Sequence, residues 1–139
     1  MFNKETEYAL RALVYIQIQN SNGRRPGILE IAKEADAPQF FMAKILQRLA
    51  KLEVIQSLKG KGGGFYFSNG KENLTIKELV TLTGDTKSFD GCGFGLKSCD
   101  CNNPCPMHEQ YAPIRDALNK LISTETILTL TKKYAIKSL

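Results

Sequence analysis

Residues 38–68, PQFFMAKILQRLAKLEVIQSLKGKGGGFYFS, decide the fold. In the first half, Phe41 or Met42, then Ile45, Leu46, Leu49 and Leu52 recur at three- and four-residue steps, the inward stripe of an amphipathic helix. Gln39, Phe40, Ala43, Lys44, Gln47, Arg48 and Lys51 fall on the outward face. Val54-Ile55-Gln56-Ser57-Leu58 and Phe65-Tyr66-Phe67-Ser68 then read as short strands on either side of Lys59-Gly60-Lys61-Gly62-Gly63-Gly64, a basic, glycine-rich hairpin. A glycine-rich loop of this kind could instead cradle a nucleotide phosphate. It lacks the G-x-x-x-x-G-K-[ST] pattern, however, and no helix follows it directly.

Upstream, Thr6 to Asn20 carries Tyr8, Leu10, Ala12, Leu13, Tyr15, Ile16 and Ile18 in a mostly helical pattern that Ser21-Asn22-Gly23 stops. Ile28-Leu29-Glu30-Ile31-Ala32 begins a short second helix, interrupted at Asp36-Ala37-Pro38 because proline disfavours the helical state in the residue before it. Two short helices joined by a tight turn, the second basic on its outer face and followed by a hairpin, predict a winged helix-turn-helix. The expected fold is mainly α with a small β-hairpin wing. Its third helix would enter the major groove, while Lys59 and Lys61 reach phosphates or the adjacent minor groove.

The net charge of +5 is unevenly spread. Between Ala37 and Lys61 lie Lys44, Arg48, Lys51, Lys59 and Lys61 against a single acid, Glu53, the electrostatic footprint of a nucleic-acid contact. A chain of 139 residues fits one small domain with an appendage. Met1 opens no basic leader followed by an apolar run, and no window approaches a membrane span, so a cytoplasmic protein with no membrane partner is expected.

Cys92, Cys99, Cys101, Cys105 and His108 fall within seventeen residues and comprise every cysteine and the one histidine of the chain. Their spacing, C-x6-C-x-C-x3-C-x2-H, lies in a glycine-bearing stretch whose backbone can fold back on one point. In a reducing compartment, clustered thiols favour metal ligation or redox sensing over structural disulfides. Three thiolates and an imidazole suit an iron-sulfur cluster, and they equally suit a tetrahedral zinc that merely staples the loop. A thiol switch is a third reading. Catalysis by Cys105 and His108 would need an orienting third group and a pocket, neither of which the sequence offers, so an enzyme is not expected.

Thr75-Ile76-Lys77-Glu78 is a capping box opening a fourth helix to about Leu82, which Gly84 ends. Beyond the cysteines, Met107, Tyr111, Ile114, Leu118 and Leu121 recur at steps of four, three, four and three, the seam of a long helix that packs on another helix. Pairing with a second copy is the expected solution. Pro113 sits inside this seam, so the helix is expected to start near Ala112, leaving His108 in the loop; a kinked helix from Pro106 is the alternative. Thr124 to Tyr134 adds a last helix with Ile127, Leu128 and Leu130. The organisation expected is a winged helix over 1–83, a cysteine loop over 84–108, and dimerisation helices over 109–139.

The segment 38–68, the opening TEYALRALVYIQ and the downstream CPMH together resemble the Rrf-two family of bacterial winged-helix regulators, whose IscR-like and NsrR-like members carry iron-sulfur clusters. The resemblance runs through nearly the whole chain. It implies a homodimeric repressor on a palindromic operator, with a long C-terminal dimerisation helix and a cluster loop between that helix and the wing. By position it implies Gln39, Phe40, Phe41, Ala43 and Lys44 as the major-groove face and Lys59 as a basic wing residue. Phe40 and Ala43 cannot form the paired hydrogen bonds that distinguish bases and could touch only a thymine methyl, so the target is expected to differ from that of relatives. The family's ligand pattern falls on Cys92, Cys99, Cys105 and His108, with the first spacing one residue longer and Cys101 an extra, alternative ligand. His108 favours a 2Fe-2S over a 4Fe-4S cluster. Where some four-iron relatives offer a carboxylate, this chain has Tyr8, with Glu7 adjacent.

Overall fold

The first helix, α1 (Lys4–Ser21), starts where Asn3 accepts the Thr6 N–H at 2.8 Å, with Glu5 and Glu7 complementing the helix dipole in the first turn. It buries Thr6, Ala9, Ala12, Leu13 and Ile16. The computed structural model describes residues 1–85, 89, 91–98 and 100–137, the side chains of 135–137 excepted. Next come α2 (Ile28–Glu34) and α3 (Gln39–Lys51). α1, α2 and α3 each end in a Schellman turn. Glu53, for example, adopts φ 62° while the Val54 N–H reaches back to the Leu49 carbonyl at 3.1 Å.

α3 buries Met42, Ile45, Leu46 and Leu49. Met42 therefore takes the inward place and Phe41 is exposed. Leu52 departs from the expected stripe: as the C-cap of α3 it is 42% exposed, on the rim of an open groove it shares with Leu74 and Leu82.

Strands β1 (Ile55–Leu58) and β2 (Gly64–Phe67) pair antiparallel with Ile55 opposite Phe67 and Leu58 opposite Gly64. Beside them, the Phe65 N–H donates to the Pro26 carbonyl at 2.8 Å, which ties the wing to the α1–α2 connection. That approach needs Gly64, since a Cβ there would lie 2.2 Å from the Arg25 carbonyl oxygen. A 3-10 turn (Lys71–Asn73) leads into α4 (Ile76–Leu82), whose N-cap Thr75 accepts the Glu78 N–H at 3.1 Å.

Two helices close the chain, α5 (His108–Thr124) and α6 (Ile127–Lys137). The expected start of α5 near Ala112 is not what forms: the helix runs continuously through Pro113 from His108. Its first turn is already fixed, because the Tyr111 N–H donates to the Met107 carbonyl at 2.8 Å and the His108 N–H to the Cys105 carbonyl at 3.1 Å. The missing proline donor then costs one bond, on the exposed side near Glu109.

Beside the main core of α1, α2, α3 and β1, a second cluster joins Ile76 and Val80 of α4 to Phe89 and to Ile122 of α5. α6 packs on α1 and places Ile127 in the main core, while the Ile127 N–H donates to the Leu74 carbonyl at 2.9 Å and the Ile76 N–H to the Glu125 carbonyl at 3.0 Å. The last helix, expected with the dimerisation segment, is thus also part of the winged-helix body. No helix among the described residues is long and apolar enough to cross a membrane.

Candidate functional site

The outward face of α3 is set by its buried stripe. With Met42, Ile45, Leu46 and Leu49 inside, Gln39, Phe40, Phe41, Lys44, Gln47 and Lys51 stand exposed and Ala43 is half-buried. Phe40 is 68% exposed and Phe41 56%. Their rings meet edge-on at 6.3 Å, and the Lys44 ammonium lies 4.4 Å from the Phe40 centroid. In the hairpin, Lys59 and Lys61 are exposed at a tip closed by the Gly63 N–H on the Gly60 carbonyl at 3.0 Å.

Arg48 goes elsewhere. Its guanidinium pairs with Glu5 of α1 at 2.6 Å and donates to the Leu82 carbonyl of α4 at 2.9 Å. The sequence places it with the phosphate-facing lysines; it stays exposed on that face, and its partner, an acid in α1, is far off in the chain.

Around Arg48 lies a junction that the sequence reading missed. The Thr6 and Thr83 hydroxyls hydrogen-bond at 2.7 Å in a buried contact, and the Asn3 N–H donates to Asp85 at 2.8 Å. These bonds tie the start of α1 to the end of α4, where the cysteine-bearing segment departs. Phe89, 1% exposed, anchors that segment against Phe2 at 5.6 Å between ring centroids, and its carbonyl accepts the Asn119 side chain of α5. An isolated aromatic in the polar stretch TKSFDG is the one hint of this anchor in the sequence.

In the loop, Cys92 is half-buried. Its thiol is held below the ordinary range chiefly by the backbone N–H of Leu96, then by that of Phe94, opposed by partial burial and aided by a hydrogen bond from Cys105 and the Gly95 N–H. Successive backbone donors converging on one sulfur form the kind of concavity that holds thiolates and iron-sulfur ligands. Gly93 lies flat against the Tyr111 ring, where a Cβ would come within 2.5 Å, so the loop is seated on the first turns of α5.

Cys105 is half-buried against Cys92, His108 is half-buried at the first position of α5, and Cys101 is exposed. Cys99 lies outside the described residues. Among the described residues no three of these side chains are grouped closely enough to hold a metal ion. The pair brought together is Cys92 and Cys105. The donor chemistry fits an iron-sulfur group at that pair: two hydrogen-bonded sulfurs, with backbone amides holding the Cys92 thiol below its ordinary range.

Known proteins place this architecture. Residues 2–133 match the family described as Rrf2, iron-dependent transcriptional regulator. A protein of Aquifex aeolicus that carries the name of an HTH-type transcriptional regulator is 30% identical over 132 residues, 94% of this chain and 90% of its own. The regulator NsrR of Bacillus subtilis is 24% identical over 135 residues, covering 96% and 86% of the two chains. Among solved structures, CymR, the global cysteine regulator of B. subtilis, superposes with a TM-score of 0.73 at 14% identity over 96% of this chain and 97% of that one. IscR of T. potens does so with 0.69 at 12% identity, over 96% and 88%. The winged-helix architecture is therefore that of these regulators, and the chain belongs to the Rrf2 family of DNA-binding transcriptional regulators, not to a family of enzymes.

Proposed function

We propose that the chain is a homodimeric repressor that reads a palindromic operator with α3 and the wing and senses redox state, nitric oxide or iron-sulfur status through a cluster on the cysteine loop. The observation that carries the sensing is the Cys92 thiol, cupped by the amides of residues 94–96 and in contact with Cys105. Cys92, Cys99, Cys105 and His108 would hold the group, 2Fe-2S in preference to 4Fe-4S, with Cys101 as an alternative ligand. When bound it supplies a site that oxidants or nitric oxide attack, made labile by the protonatable imidazole.

The chain's own residues carry the signal onward. Asp85, Thr83 and the Leu82 carbonyl, immediately before the loop, bond Asn3, Thr6 and Arg48. Arg48 lies on α3 itself, so a displaced loop pulls on the recognition helix as well as on the spacing of two helices that must sit about 34 Å apart on the duplex. The DNA surface on this reading is Gln39, Phe40, Phe41, Ala43, Lys44, Lys51, Lys59 and Lys61, with Arg48 at its flank, tied to Glu5 and the Leu82 carbonyl.

Protein purified without air tests the reading. Iron with acid-labile sulfide, and a change of operator affinity when the cluster is lost, are the expected results. Equal affinity with and without the cluster, or an unchanged response to oxidant and nitric oxide in Cys92→Ala, Cys105→Ala and His108→Ala, would sink it. A second reading rests on the same Cys92–Cys105 contact: a colourless protein whose two thiols are oxidised by peroxide to a disulfide, releasing water, and are restored by reductant. One zinc per chain and no redox response would instead make the loop a structural staple.

A further inference from the structure

Two phenylalanines in the first turn of a helix, one 68% and one 56% exposed, are left by the fold without a core to enter. The pair is ordered nonetheless. Phe40 sits edge-on to Phe41 with ring centroids 6.3 Å apart, and Lys44, one turn on, caps the Phe40 ring with its ammonium at 4.4 Å. Held from that side, the ring offers its remaining surface outward along the stripe Phe40, Lys44, Gln47 and Lys51.

That stripe is the one a recognition helix turns to the major groove, and residues near the helix N-terminus reach furthest toward base edges. The charged side chains on the stripe itself are Lys44 and Lys51, both exposed, which suits a duplex and disfavours an apolar partner helix with basic flanks. Within the major groove the apolar group on offer is the C5-methyl of thymine; every other base edge presents donors or acceptors that a phenyl ring would desolvate without replacement. Resting on the DNA-binding reading above, we infer that Phe40 and Phe41 form a thymine-methyl sensor, so each operator half-site carries thymines at the steps facing the first turn of α3. Specificity there comes from apolar contact and from the penalty for burying the amino group of cytosine. Gln39 and Gln47 remain for hydrogen-bonded readout on either side.

The experiment begins with selection of binding duplexes from a randomised pool by the full chain purified without air. The expected product is a palindrome with recurrent thymines in each half. Replacing those thymines by deoxyuridine, which keeps every hydrogen bond and removes the methyl, should weaken binding about fourfold for each methyl buried. Phe40→Ala combined with Phe41→Ala should bind the thymine and deoxyuridine duplexes equally, and Phe40→Leu, which keeps an apolar tip, should retain part of the difference. If the wild-type chain binds both duplexes alike, or if Phe40→Ala combined with Phe41→Ala still prefers thymine, the inference falls while DNA binding stands. If no duplex is retained at all, the DNA-binding reading falls and takes the sensor with it.

Discussion

Lys44 and Arg48 are one helical turn apart on α3, yet their charges serve different ends. Lys44 is exposed beside Phe40, whereas Arg48 is neutralised by Glu5 and the Leu82 carbonyl. Lys44→Ala should weaken binding to all duplexes alike and flatten the slope of log affinity against log salt by about one, because one phosphate contact is lost. Arg48→Ala should leave that slope unchanged and lower stability by about 1 kcal/mol, a small figure because the pair is about half exposed. Salt titration of binding and urea unfolding of the two variants separate the roles; a reduced slope in Arg48→Ala would return Arg48 to the interface. The sequence could not make this distinction. Periodicity puts both residues on the outer face, and what engages Arg48 there is a carboxylate 43 residues earlier in the chain and a carbonyl 34 residues later.

At the scale of elements, α1, α2 and the wing meet at a polar clamp. The Tyr15 hydroxyl donates to Glu30, whose carboxylate also takes Arg24 at 3.0 Å, from the turn that leads to the wing contact at Pro26. Arg24 first, then Tyr15, holds the Glu30 carboxyl below its ordinary range, while burial first, then Glu30, pushes Tyr15 up to about 12. The signs are opposite. The depressed carboxylate contributes stability at pH above about 4.5 that is lost as pH falls through its folded value. The raised phenol contributes stability below pH 10 that is lost as pH rises toward about 12. Tyr15→Phe should therefore cost about 1 kcal/mol near neutrality, with the gap to wild type narrowing at both extremes. Urea unfolding across pH checks it, and a constant offset would show the hydroxyl to be uncoupled from Glu30. This clamp was not legible in the sequence, where Tyr15 counts only as one apolar member of a helical stripe. The helices and strands themselves were legible, because three-residue periodicity, glycine stops and the Thr75 capping box are local signals. The path of the cysteine segment was not, since 84–107 has no periodicity and, among its described residues, Phe89 and Gly93 are placed by Phe2 and Tyr111, distant in the chain.

The whole molecule leaves one long face uncovered. On α5, Ile122 enters the second core, whereas Met107, Ile114 and Leu121 are 44%, 58% and 43% exposed. The seam expected from the four-three spacing is thus divided: Tyr111 seats the loop at Gly93 and Leu118 packs on the second core beside Ile122, while Met107, Ile114 and Leu121 form an exposed stripe along one edge of it. On the proposed reading, in which two recognition helices sit on one duplex, this stripe would be covered by a second copy of the chain across a two-fold axis. Each copy's α6 already packs on its own α1, so pairing along α5 would set the distance between the two winged bodies. Ile114→Glu puts a charge in the middle of this face without disturbing Ile122 or Gly93. The expected result is a monomer by sedimentation at concentrations where the wild type is dimeric, with an unchanged far-UV spectrum. Affinity for a palindrome should fall by at least a hundredfold, while affinity for an isolated half-site should hardly change, since the second half-site then no longer adds its share of binding energy. A variant that stays dimeric, or that loses half-site and palindrome binding equally, would place the subunit contact elsewhere and remove α5 as the ruler between the two recognition helices.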